Sequence, residues 1–198
     1  MSSTFALPSD AITLGPLVIG AAVLAAAGLA KLVRPNDTAR ALKAAGIGGG
    51  APLVRVLSAF EIAVAVSAAG WAHPVAAALV AVSYLAFAGF VAYALRRGTP
   101  LATCGCFGEP DSPPTVVHVV LNVLLAAAAI AATVSRPPGL TQLFADHRAG
   151  TAALFGAALV AAALVIVAMT ELPRTQLQAR QTALAVLGHE HISRRSRR

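Results

Sequence analysis

Five stretches of this chain are long, apolar and almost free of charge, and this limits its fold more than any other feature. They run at about Ala11–Val33, Pro52–Gly70, Pro74–Leu95, Pro114–Val134 and Gly150–Thr170. A hydrocarbon core about 30 Å thick takes roughly 20 residues of helix at 1.5 Å each. Inside lipid no water satisfies backbone N–H and C=O groups, so a spanning segment of this length is a helix. The expected fold class is therefore all-α, a polytopic membrane helical bundle. Composition agrees: 58% of the residues are hydrophobic and 12% are charged, where soluble domains carry about 25% charge.

Local signals place the ends. Pro52, Pro74 and Pro114 stand at helix starts, where the missing N–H costs nothing. Ala and Gly crowd the spans, as in Ala25-Ala26-Ala27-Gly28 and Ala126-Ala127-Ala128-Ala129, and small residues let helix backbones approach closely in lipid. Trp71 and Tyr93 fall near span ends, where amphipathic rings prefer the interface. The first stretch lacks a basic region ahead of it and outruns a usual signal peptide, so it is expected to remain as a span. Asn36 or Asp37 is expected to cap a short helix through Ala45, ended by Gly46. Leu140–Arg148 is expected along the interface, and the chain from Glu171 reads as a polar, basic tail.

The net charge of +7 comes from Lys and Arg flanking the spans and from that tail. Such a distribution points to anionic lipid head groups and to topology, not to nucleic acid. Arg34, Arg40, Lys43, Arg96, Arg97 and the tail arginines lie on one side, against Arg136 and Arg148 on the other. Lys and Arg favour the cytoplasmic side. The expectation is a multi-pass cell-membrane protein with its C-terminal tail cytoplasmic.

With five spans, the first and third loops share a membrane face, and the unusual polar residues gather toward it. They are Lys31 at the end of span one, Glu61 within span two, and His118 and Asn122 in span four. His118 and Asn122 are four residues apart, hence on one helix face. A charge at mid-bilayer costs at least ~2.5–3.5 kcal/mol. Glu61 is therefore expected to face the bundle, either as a structural link between helices or as part of a proton relay. Lys31 and Arg55 are expected to snorkel to the head groups, with an ion pair to Glu61 as the alternative. His118 suits either a helix-start hydrogen bond or proton exchange near the third loop. Tyr84, Ser58 and Ser67 are expected to donate hydrogen bonds between helices. The tail's His189-Glu190-His191 offers too few ligands for a metal site.

That third loop holds the chain's two cysteines, as Cys104-Gly105-Cys106. A disulfide across one residue is tight, and Gly105 supplies the freedom to form it. Strained disulfides are labile, and so catalytic or regulatory. So short a ring would stabilise a fold little. The rival reading is a Cu(I) site, since soft thiolates select that ion. Nearby Arg96 and Arg97 favour the thiolate, while Glu109 and Asp111 oppose it.

The stretches Ala27-Gly28-Leu29-Ala30-Lys31-Leu32-Val33-Arg34-Pro35, Leu57-Ser58-Ala59-Phe60-Glu61 and Cys104-Gly105-Cys106-Phe107-Gly108, with Asn122, carry a resemblance. Together they resemble the methylamine-utilisation protein E and DoxX-like redox-associated membrane proteins. The resemblance implies a DoxX-like four-helix core over residues 1–135 that includes the Cys-Gly-Cys loop. A connecting loop and fifth transmembrane helix (136–170) and a basic tail (171–198) lie outside it. It also implies a membrane thiol–disulfide redox protein that works with a thioredoxin-like partner in the maturation of exported proteins. Cys104 and Cys106 would be the catalytic pair, with Lys31, Glu61, His118 and Asn122 in support. A quinone is a candidate cofactor. Leu121 stands where the family pattern has a basic residue before the Asn, so no quinone or anion contact is assigned to it. The alternatives are Cu(I) binding at Cys104 and Cys106, or a non-catalytic anchor for a redox partner.

Overall fold

The computed structural model describes residues 12–44, 46–97 and 115–195, apart from the side chains of 173–174 and 176–195. The Cys-Gly-Cys loop lies outside the described residues. Those described form helices and no strand: α1 (Leu14–Val33), α2 (Pro35–Ala44), α3 (Ala51–Trp71), α4 (Pro74–Arg97), α5 (Val116–Ser135), α6 (Leu140–Asp146) and α7 (Arg148–Arg195). Five are long and apolar enough to cross a membrane: α1, α3, α4, α5 and the Arg148–Leu172 part of α7. The chain is a polytopic helical bundle, as its apolar runs require.

The breaks between helices follow local chemistry. Pro35 opens α2 directly after α1, one to two residues ahead of the cap expected from Asn36 or Asp37. Pro52 sits in the first turn of α3, after the extended Gly50. α3 stops where Ala72 turns left-handed (φ 49°), its N–H bonded to the Ala68 carbonyl at 3.0 Å. Pro74 then starts α4, so Ala72 and His73 alone join two spans. α5 ends in the same way at Arg136 (φ 50°), and the chain turns through α6 beneath α3. Gly139 makes that turn fit: a Cβ there would lie 2.6 Å from Trp71 Cα. Thr141 Oγ1 also donates to the Gly70 carbonyl at 2.8 Å.

α1 is the innermost span. Half of its most apolar stretch is buried, against 17% of that of α7. It packs on α3, α7 and α5, while α4 pairs with α5. Leu14, Leu17, Val18 and Leu24 of α1 join Ala77, Val80, Ala126 and Ala129 in one core. α1 and α3 approach each other closely at Gly28. A Cβ on Gly28 would lie 2.9 Å from Ile62 Cγ1 and 3.1 Å from the Ser58 carbonyl. Val56, Val82, Val120, Leu124 and Leu164 point outward, as a lipid-facing surface requires.

One feature goes beyond the apolar pattern. α7 does not stop where the apolar run ends near Thr170; it continues through Pro173 to Arg195, 48 residues in all. At 1.5 Å per residue its length is roughly 72 Å.

Candidate functional site

Toward the end where α1 finishes and α3 begins, the bundle encloses its charged and polar side chains. Lys31, Ser58, Glu61, His118 and Asn122 are all buried. Lys31 forms an ion pair with Glu61, joining α1 to α3. Its ammonium also sits 4.5 Å from the centre of the Phe87 ring on α4. The carboxylate therefore faces the bundle, as the cost of placing it in lipid demands.

Lys31 does not snorkel, and backbone direction explains why. Every Cα–Cβ bond leans toward its own helix N-terminus. Lys31, near the C-terminal end of α1, therefore leans inward, away from the adjacent head groups. Glu61, on the next span running the opposite way, leans toward the first loop. The two side chains converge. Arg55 is exposed.

His118 fixes the start of α5. Its ring and Thr115 form a capping box: Thr115 N–H donates to Nδ1 at 3.3 Å, and Thr115 Oγ1 lies 3.0 Å from the same nitrogen. The Met169 backbone of α7 bonds the ring as well. An acceptor at Nδ1 places the proton on Nε2, which donates to the Met169 carbonyl. The imidazole thus ties the start of α5 to α7, the helix-start role expected of it. Asn122 Nδ2 donates to the His118 carbonyl at 2.7 Å. Lys31, Tyr84, Phe87, His118, Asn122 and Met169 border one narrow gap between the helices. Three of the four supporting residues expected from sequence, Lys31, His118 and Asn122, border that gap, and Glu61 is joined to it through its ion pair with Lys31.

Two hydroxyls divide. Tyr84 OH donates to the Gly20 carbonyl of α1 at 2.6 Å, the expected bond between helices. Ser58 Oγ instead donates within α3, to the Val54 carbonyl at 2.7 Å. A serine in a helix commonly bonds the carbonyl four residues back, and that local bond wins here.

Beside the ion pair lies a cavity of about 270 Å³ between α3 and α4 and under α2. Lys31 and Glu61 form its polar edge, and Leu57, Phe87 and Phe90 its apolar walls. The sequence reading missed Phe87 and Phe90, because an aromatic residue within an apolar run carries no contrast. Among the described residues no group of three or more His, Cys, Asp or Glu is placed to hold a metal ion. Cys104 and Cys106 lie outside those residues. The segment that carries them leaves α4 after Arg97 and rejoins α5 through Thr115.

A family model described as methylamine utilisation protein MauE matches residues 9–135, which covers α1 to α5. No curated protein and no solved structure matches the chain.

Proposed function

Because the chain belongs to the MauE family, matched over residues 9–135, we propose that this multi-pass membrane protein is a thiol–disulfide redox component. It serves a thioredoxin-like partner in the maturation of exported proteins, within the methylamine utilisation that the family's name describes. The observation that carries the reading is the Cys104-Gly105-Cys106 pair in a chain otherwise suited to lipid. A thiolate of one cysteine attacks the partner's disulfide and forms a mixed disulfide, releasing one partner thiolate. The second cysteine then attacks the mixed disulfide. Cys104 and Cys106 end oxidised as a disulfide, and the partner ends reduced as a dithiol. Two electrons pass, and the reverse sequence returns them.

In this reading the 1–135 unit carries the redox loop, 136–170 adds the fifth span, and 171–198 is a cytoplasmic tail. The loop charge bias supports that orientation. It also puts the dithiol on the cytoplasmic face, from which reducing equivalents would enter.

Mass-tag alkylation in cells, before and after reductant, tests the thiol cycle. Expected is a mixture of reduced and oxidised Cys104 and Cys106, with a Cys106→Ser or Cys104→Ser chain capturing a partner as a mixed disulfide. Thiols that stay reduced under every condition, with no captured partner, would refute the reading. Copper copurifying with such a chain would put Cu(I) binding in its place.

A further inference from the structure

Pro173 stands in the interior of α7, where a proline disturbs a helix. It has no N–H to offer the carbonyl four residues back, and its ring crowds that same carbonyl. Here the carbonyl belongs to Met169. Met169 is 3% exposed, so water does not replace the lost bond, and a buried acceptor left bare is costly. Proline is tolerated in a membrane helix where a neighbouring helix supplies a new partner.

α5 supplies that partner. The His118 imidazole bonds the Met169 backbone, and both residues border the same narrow gap. Nδ1 already faces Thr115, so Nε2 is the nitrogen that donates. Thr170, the next residue of α7, is turned the other way. Its hydroxyl donates back to the Ile166 and Val167 carbonyls at 3.0 and 3.2 Å, a bond that itself tends to bend a helix.

The position of Met169 gives this contact its weight. Thr151, Ala158, Ala162 and Met169 are the buried residues of α7 among those whose side chains are described. Steps of seven and four put them on one helix face, and Met169 ends that face. Glu171 and Leu172 beyond it are exposed. The helix is therefore bonded to α5 at its last point of burial, one turn before the proline, and then runs on to Arg195.

We propose that Pro173 and His118 form one joint: the proline frees the Met169 carbonyl, the imidazole holds it, and the turn between them sets the direction in which α7 leaves the membrane. The joint ties that direction to Thr115, where the cysteine-bearing segment rejoins the bundle. Residues 171–198 carry six arginines against two glutamates, so it is a basic arm that is being aimed. His118 lies inside the family match over residues 9–135 and Pro173 outside it. The joint thus couples this chain's C-terminal helix to the family unit, and it does not depend on the thiol chemistry.

The test uses the full chain in lipid nanodiscs, with Cys104→Ser and Cys106→Ser so that spin labels can be placed elsewhere. One label goes at Gly188→Cys, the other at Arg55→Cys or, in a second chain, at Arg96→Cys, both exposed positions at the ends of α3 and α4. Electron–electron double resonance reads the two distances. Position 188 lies roughly 22 Å beyond Pro173, and a proline kink exceeds about 20°, so straightening moves the label by about 8 Å. Pro173→Ala restores the N–H and is expected to shift at least one distance by about 5 Å or more. A second measurement isolates the imidazole. In an SDS mixed-micelle titration, His118→Leu should lower the folding equilibrium constant at least threefold more in the otherwise native chain than in the Pro173→Ala chain, where the restored N–H reclaims the carbonyl. Loss of the Thr115 cap is common to both backgrounds and cancels. Distances that both move by less, or a His118→Leu cost that differs by less than threefold between backgrounds, would overturn the joint. If leucine prevents folding in both backgrounds, the two distances alone decide.

Discussion

Removing one member of the Lys31–Glu61 pair should cost more than removing both. The side chains are 7% and 11% exposed, so neither charge has water to fall back on. Breaking a buried pair from one side costs about 3–5 kcal/mol, because the remaining charge is left uncompensated. Replacing the whole pair by apolar side chains of similar volume is often neutral or stabilising, by about 1–4 kcal/mol. The structure orders the two single variants. With Glu61→Leu, the ammonium keeps the Phe87 ring, a desolvated contact worth about 2 kcal/mol. With Lys31→Met, the Oε2 atom keeps no hydrogen bond among the described residues. Glu61→Leu should therefore fall near the lower end of that range, about 3 kcal/mol, and Lys31→Met near the upper end, about 5 kcal/mol. The double variant should lie within about 1 kcal/mol of the native chain or above it. Reversible unfolding in mixed micelles, with SDS as denaturant and helix content as readout, measures all four corners of the cycle. A double variant less stable than either single would refute the argument, as would single-variant costs that simply add.

Two further perturbations test the packing. Gly28→Val should separate α1 from α3 and destabilise by about 1–3 kcal/mol in the same micelle titration, since even a Cβ meets Ile62 and the Ser58 carbonyl; a native-like midpoint would contradict that close approach. Tyr84→Phe removes only the bond to the Gly20 carbonyl and should cost about 0.6 kcal/mol, the average for such bonds between membrane helices; a loss several times larger would mean that the hydroxyl has another role.

Much of this architecture is legible in the chain because lipid is an unforgiving solvent. The length of each apolar run fixes the spans to within a few residues, and Pro52 and Pro74 mark two starts. The inward turn of Glu61, His118 and Asn122 follows from the cost of exposing them to hydrocarbon. The partner of Glu61 is not legible in the same way. Lys31 lies close enough to the membrane face to snorkel, and only the antiparallel sense of α1 and α3, with the tilt of each Cα–Cβ bond, turns it inward. Phe87 and Phe90 escape notice because they look like any other apolar residue until α3 and α4 separate around a cavity. The continuation of α7 past Thr170 is hidden for a different reason: hydropathy reports where lipid ends, not where a helix does.

The ion pair also bears on how the protein is made. Lys31 and Glu61 belong to successive spans, so they leave the ribosome in order, the cation first. Each alone makes its helix a poorer candidate for release into the bilayer. Together they cancel, so α1 and α3 are best suited to partition as a hairpin, already joined at the point where each is least soluble in lipid. A nascent chain that ends before residue 61 lacks the carboxylate that offsets Lys31, and its first helix has reason to linger at the insertion channel until the second arrives.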